Sequence, residues 1–195
     1  MKTVTGELNP GSISRVFPNS ILTVLEYLLL FSLGALAITL HAKLRIPMKL
    51  PGHHGLEFMA LLVIGRMISK RSIAASISGL GIGLFALLPW MGFKDPFMPL
   101  VFFIPAILLD LGYRFTQQAG WKSILSFGIV AAIAHLSIPI FRTLIMALTA
   151  YPYGSLKTGL LYPYTTYLVF GFFGGTFGAS LYAAARGSLG SLLRK

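Results

Sequence analysis

Between residues 21 and 40 the sequence holds a single ionisable side chain, Glu26, and five more long apolar runs follow at 56–69, 73–91, 96–113, 124–148 and 162–185. The hydrocarbon layer of a bilayer is ~30 Å thick, and a helix of ~20 mostly apolar residues crosses it with its backbone groups satisfied internally. A soluble chain of 195 residues with 55% hydrophobic and 11% charged residues has no way to hide so much apolar surface. The pattern predicts an all-α, polytopic integral membrane protein with six transmembrane helices. They form one domain at 19–186, between a polar arm at 1–18 and a basic tail at 187–195. The second run is the shortest and joins the third through Ser69, Lys70, Arg71 and Ser72, which reads as a tight turn at the membrane surface. The first run is too long for the core of a signal peptide, so residues 1–18 read as a short cytoplasmic arm.

Loops retained in the cytoplasm are enriched in Lys and Arg. With six spans, the termini and the even loops share one side, which carries Lys2, Arg15, Lys70, Arg71, Arg114, Lys122, Arg186, Arg194 and Lys195. The other side carries fewer, namely Lys43, Arg45, Lys49, Lys94 and Lys157. Both termini are therefore expected in the cytoplasm and the chain in the inner (cytoplasmic) membrane. The net charge of +11 is scattered over loop ends, which suits topology and contact with lipid headgroups rather than a nucleic-acid surface. The absence of cysteine removes disulfides, thiolate metal sites and thiol nucleophiles.

The loop after the first run, 41–55, is basic, and Pro47, Pro51, Gly52 and Gly55 hold it bent and non-helical. Such a segment is either a connector or a lid over a cavity between helices. His53, His54 and Glu57 sit together where it enters the second run. They suit a polar ligand, a hydrogen-bonded loop anchor or, less well given their spacing, a metal. The loop after the fifth run and the start of the sixth are aromatic, with Tyr151, Tyr153, Tyr162, Tyr164 and Tyr167, and Trp90 lies in the neighbouring outer turn. These rings read either as an interfacial belt or as a platform for stacking on a flat small molecule.

Ionisable groups at bilayer depth usually face a partner or a polar cavity. His135 and Arg142 are seven residues apart on the fifth run, two turns along one helical face. Arg142 suits a carboxylate or phosphate and His135 a carbonyl, or else Arg142 pairs with an internal acid, of which Glu57 is nearest in depth. Asp110 and Arg114 are spaced for an ion pair, Arg66 either snorkels or reaches Asp110, and Glu26 has the same choices or meets a partner subunit.

Small residues recur every four positions at Ala75, Gly79 and Gly83, and at Gly171, Gly175, Ala179 and Ala183, with Ser32, Gly34, Ala35 and Ala37 in the first run. They allow close helix packing, within the chain or against another membrane protein. No phosphate-binding G-x-x-x-x-G-K-[ST] motif and no H-E-x-x-H is present, so the chain carries no ATPase of the common kind. Ser180 with His135 is the one pair suggesting an intramembrane serine protease, and its order along the chain does not match the rhomboid type.

The six runs, the Pro-rich outer segment Ile46-Pro47-Met-Lys-Leu-Pro51-Gly52, the following Phe58-Met-Ala-Leu-Leu-Val-Ile-Gly-Arg66 and the run Ile73-Ala-Ala-Ser-Ile-Ser-Gly-Leu-Gly-Ile-Gly83 resemble the substrate-binding membrane subunits, or S components, of energy-coupling factor transporters for vitamins and related micronutrients. The resemblance covers nearly the whole chain. It implies a ligand held near the outer face under the loops after spans one, three and five, and ATPase subunits on other chains. It also implies contact between small residues of span one and a transmembrane coupling subunit. The alanines four apart often seen there in that family are here Leu33 before Ala37 and Ala35 before Thr39. On this reading the subunit is not an enzyme and needs no cofactor. It binds a small molecule with an anionic group through His53, His54, Glu57, Trp90, His135, Arg142, Tyr162, Tyr164 and Tyr167. Ser32, Ala35, Gly171 and Gly175 are the candidate partner contacts. Two other classes compete: a non-transporting scaffold of an envelope-synthesis complex, and a membrane enzyme using His53, His54 and Glu57 on lipid headgroups.

Overall fold

The computed structural model describes residues 19–44, 50–120, 123–157 and 159–192. The expected arm at 1–18, together with Arg45, Pro47, Lys49, Lys122, Arg194 and Lys195, lies outside them. The described residues form helices and no strand: α1 (Asn19–Lys43), α2 (Gly55–Ile68), α3 (Ala74–Ala86), α4 (Met98–Gln118), α5 (Ile124–Thr149) and α6 (Leu161–Leu192), with single 3-10 turns at Pro89–Met91 and Gly154–Leu156.

Four of these helices, α1, α4, α5 and α6, are long and apolar enough to cross a membrane. The other two are shorter, with 14 residues in α2 and 13 in α3. At a rise of 1.5 Å per residue they reach only about 20 Å. The charged turn at Lys70 and Arg71 stops α2, and Pro89, two residues beyond the Leu87 cap, keeps α3 from extending. The chain is thus a membrane-embedded helical bundle in which two of the six apolar runs fall short of a full crossing.

Contacts run around the bundle in the order α1, α3, α4, α5, α6, α2 and back to α1, and α2 also touches α3, α4 and α5. That central place follows from its sequence: α2 is apolar nearly all round, so it has no face that gains from an outer position. Phe58, Met59, Leu62 and Val63 are accordingly almost fully buried. On α1, by contrast, Ile21, Leu25, Leu28, Leu29 and Leu36 are exposed, as expected of a lipid-facing side.

Glycines bring the backbones together. A Cβ on Gly34 of α1 would collide with the Ser78 carbonyl oxygen of α3, and one on Gly81 would collide with the carbonyl of Phe31. Gly174 and Gly178 of α6 lie against the backbone of α2 at Gly55, Leu56 and Ala60. Gly171 and Gly175 face α5 at Ala131, Ala132 and Phe127, so both serve internal packing here. Ala35 is also buried, facing α3 beside Gly81, whereas Ser32 lies on the exposed side of α1. Because the atoms meeting Gly34 are backbone and cannot swing aside, Gly34→Val should lower stability by about 1–3 kcal/mol, the usual range for overpacking. Thermal unfolding in detergent measures this, and an unchanged midpoint would mean that α1 and α3 are not in close contact.

The end of the bundle away from the loop between α1 and α2 is fixed by a buried ionic knot. Asp110 of α4 accepts hydrogen bonds from Ala75 N at 3.1 Å, Ser76 N at 2.8 Å and Ser76 Oγ at 2.7 Å, satisfying the first turn of α3. It also pairs with Arg66 Nε of α2 at 3.2 Å. The Arg66 guanidinium lies 3.9 Å from the centre of the Tyr113 ring, and its Nη1 donates to the Ser69 carbonyl. The sequence-adjacent pairing of Asp110 with Arg114 does not form; Arg114 instead donates to the Ser72 carbonyl. Glu26 accepts from Ser69 Oγ and Arg71 Nε, tying α1 to the turn between α2 and α3.

Candidate ligand-binding site

All four histidines of the chain line one cavity at the opposite end of the bundle. The cavity is about 170 Å3. Its walls come from His41 at the end of α1, Phe58 of α2, Phe102 of α4, His135 and Arg142 of α5 and Tyr167 of α6. Its roof comes from two loops: Leu50 to Gly55 after α1, and Ser155 on the 3-10 turn after α5. The loop after α3, expected as a third cover, contributes nothing to the lining.

Two glycines let the roof descend. Gly52 has φ +78°, a left-handed conformation that side chains disfavour, and its Cα lies against the Tyr167 ring. A Cβ on Gly55 would meet the His135 ring. The His135 ring in turn stacks on Tyr167 with centroids 4.8 Å apart. The spacing of seven along α5 does place His135 and Arg142 on one face, and both turn into this cavity.

The hydrogen bonds that form determine what the remaining atoms can do. His53 Nδ1 is 2.6 Å from the Leu50 carbonyl oxygen and His135 Nε2 is 3.4 Å from that of Gly52. A carbonyl only accepts, so those nitrogens carry the protons. In the neutral rings His53 Nε2 and His135 Nδ1 are left as acceptors. Both are buried without a partner, as are His41 Nδ1 and Arg142 Nε. Four of the seven buried side-chain atoms without a hydrogen-bond partner among the described residues therefore belong to residues lining this one cavity. A fifth, Glu57 Oε2, is one step behind it: Glu57 Oε1 lies 2.5 Å from His54 Nδ1, so the pair anchors the loop to α2. Buried polar atoms are rarely left without partners, and a cluster of them on one cavity needs an explanation.

Arg142 is the cation of the site. Its Nη1 donates to Tyr167 Oη at 2.8 Å and to Ser155 Oγ at 3.4 Å, and its guanidinium lies 5.6 Å from the Phe102 ring centre and 5.3 Å from that of Tyr153. No described carboxylate pairs with it. The acid nearest in depth, Glu57, turns to His54 instead. Among the described residues no three His, Asp or Glu side chains are placed to hold a metal ion.

The aromatic residues divide. Tyr167 alone of the expected set lines the cavity. Tyr164 donates its hydroxyl to Thr143 Oγ1 at 3.0 Å, Tyr162 is exposed, and Trp90 is exposed on its 3-10 turn, where its carbonyl accepts from Lys43 Nζ. His41, Phe102 and Ser155 are lining residues that the sequence reading did not single out. Ser180 donates to the Thr176 carbonyl on the outside of α6 and stands apart from His135, so the protease pair is not assembled.

Tyr153, on the loop after α5, lies next to Arg142. Burial, helped by the Asp95 carboxylate 3.4 Å away, pushes its hydroxyl up to about 12. Between pH 10 and 12 the unfolded chain therefore loses this proton while the folded one keeps it, so stability falls as pH rises through that window. Tyr153→Phe should flatten the loss when unfolding midpoints are compared at pH 9 and pH 11. An equally steep loss in the variant would assign it to other groups.

Comparison with protein-family models, with curated proteins and with solved structures finds no match for the chain.

Proposed function

We propose that the protein is the substrate-binding membrane subunit of an ATP-driven importer of a micronutrient. On this reading the six helices all belong to the membrane domain, both termini lie in the cytoplasm, and the histidine cavity opens to the outside of the inner membrane. The observation that carries it is the gathering of His41, His53, His135 and Arg142, each with a buried atom lacking a hydrogen-bond partner, around one cavity, with no described carboxylate against the cation. A scaffold has no use for such a cluster, and desolvated polar groups without partners cost about 1–3 kcal/mol each. They are satisfied if a ligand supplies an anionic group to Arg142 and N–H or O–H donors to the histidine acceptors.

The cavity volume narrows the ligand. At ~30 Å3 per water, 170 Å3 corresponds to about five or six waters. That is below the ~300–1,000 Å3 usual for drug-sized molecules, so the ligand is a compact acid rather than an extended cofactor. Tyr167 and Phe102 supply the apolar surface on which a small ring or chain rests. The chain does no chemistry; ATPase subunits and a transmembrane coupling subunit on other chains drive release, and Ser32 on the exposed side of α1 is open to such a partner.

Affinity purification from the native membrane tests the importer part, with co-purifying ATPase and coupling subunits expected. Recovery of envelope-synthesis proteins alone would favour the scaffold. A variant with His53, His54 and Arg142 all changed to alanine separates the two further: a scaffold keeps its complex and its function, whereas an importer keeps its complex and loses uptake.

A further inference from the structure

The other end of the bundle holds a larger opening. The short α2 stops at Ile68 while α4 and α6 continue to Gln118 and Leu192, and beneath its last turn lies a crevice of about 1170 Å3 bounded by α2, α4, α5 and α6. Ile68 and Leu181 of its wall are each nearly half exposed, so the crevice is open on an apolar side. Its polar edge is made by Lys70, on the turn after α2, and Arg186, on α6, with Tyr182 between apolar neighbours. Among the described residues no acidic side chain lines it. The carboxylates at this end are engaged elsewhere: Glu26 holds Ser69 and Arg71, and Asp110 holds Arg66 and the start of α3. Lys70 and Arg186 form no ion pair among the described residues.

We propose that this crevice binds one anionic diacyl phospholipid, with its phosphate between Lys70 and Arg186 and its chains along Ile68 and Leu181. Basic pockets between membrane helices select anionic headgroups by charge, and apolar walls continuous with the lipid-facing surface receive chains that are already in the bilayer. The crevice is larger than the ~300–1,000 Å3 typical of small-molecule sites, as a lipid requires. The charge excess favours a lipid phosphate over a helix of a partner protein, since among the described lining residues no acidic side chain is placed to orient a peptide's cations. This site is separate from the histidine cavity and does not depend on what that cavity binds.

The test is native mass spectrometry of the full chain in detergent, titrated with dioleoyl phosphatidylglycerol or dioleoyl phosphatidylcholine. One phosphatidylglycerol should bind about tenfold or more tightly than phosphatidylcholine. The preference should fall in Lys70→Gln and in Arg186→Gln, and vanish in the double variant. Lys94→Gln removes one charge from the opposite end and should retain it. Equal affinity for the two lipids would overturn the proposal, as would a preference that survives the double variant or falls equally in Lys94→Gln. Displacement of the bound lipid by excess glycerol 1-phosphate would show a headgroup-sized anion site instead. A co-purified protein segment that excludes phosphatidylglycerol from the wild type would assign the crevice to a partner. All the exchanged residues are exposed, so matched unfolding midpoints are expected and confirm that the fold is retained.

Discussion

Arg142→Ala is expected to weaken ligand binding by about an order of magnitude or more while the protein remains folded. Hydrogen bonds to a charged group contribute ~1.5–3 kcal/mol, and each 1.4 kcal/mol is tenfold in affinity. The fold should survive because Arg142 is only half buried and neutralises no described carboxylate, so its removal strands no charge among the described residues. Tyr167 loses one donor but keeps its stack on His135. Arg142→Lys separates charge from shape: a lysine retains the positive charge and loses the planar fork, so recovery of part of the affinity would show that charge is recognised. Ligand retention by the two variants and unfolding in detergent give the two readouts. Undiminished binding in Arg142→Ala would remove Arg142 from the site.

Asp110→Ala should be the most damaging substitution in the bundle. It leaves Arg66, 4% exposed, without its counter-charge and removes the acceptor for the Ala75 and Ser76 amides at the start of α3. Breaking one side of a buried pair costs about 3–5 kcal/mol, much of it from the stranded charge. Arg66→Met on the Asp110→Ala background should therefore recover stability, since it removes the stranded guanidinium and refills the space over Tyr113. Additive losses in the double variant would mean that the two side chains are not coupled. Thermal unfolding of Asp110→Ala, Arg66→Met and the double variant decides this without reference to any ligand.

These two residues show what the sequence could and could not convey. Run length and charge placement were enough to locate all six helices, because a bilayer imposes a minimum of apolar residues that few other folds share. The 14-residue run at 56–69 already shows how short α2 is, but the 73–91 run does not show that α3 is too short to cross fully, because its apolar character extends past Ala86 into the turn that ends the helix. Periodicity placed His135 and Arg142 on one face of α5, since the helical repeat fixes that relation locally. The partner of Asp110 was not local. Arg114 is its neighbour by spacing, but Arg66 reaches it across α2, and only the packing of α2 at the centre decides between them.

The aromatic residues failed for a related reason. Interfacial and ligand-facing tyrosines have the same neighbours in sequence, and Tyr164 and Tyr167, three residues apart, differ only in whether they meet Thr143 or the cavity. His41 was legible in principle. It lies near the end of α1, next in sequence to the loop carrying His53 and His54, and two short stretches of chain bring the three histidines to one end of the bundle.

Native mass spectrometry of the intact protein, purified gently from its own membranes beside the Arg142→Ala variant, tests the central claim most directly. A small acidic molecule is expected to be retained by the wild type and absent from the variant. A wild-type protein that carries no such molecule, or a variant that carries it equally, would contradict the assignment of the histidine cavity as a ligand site.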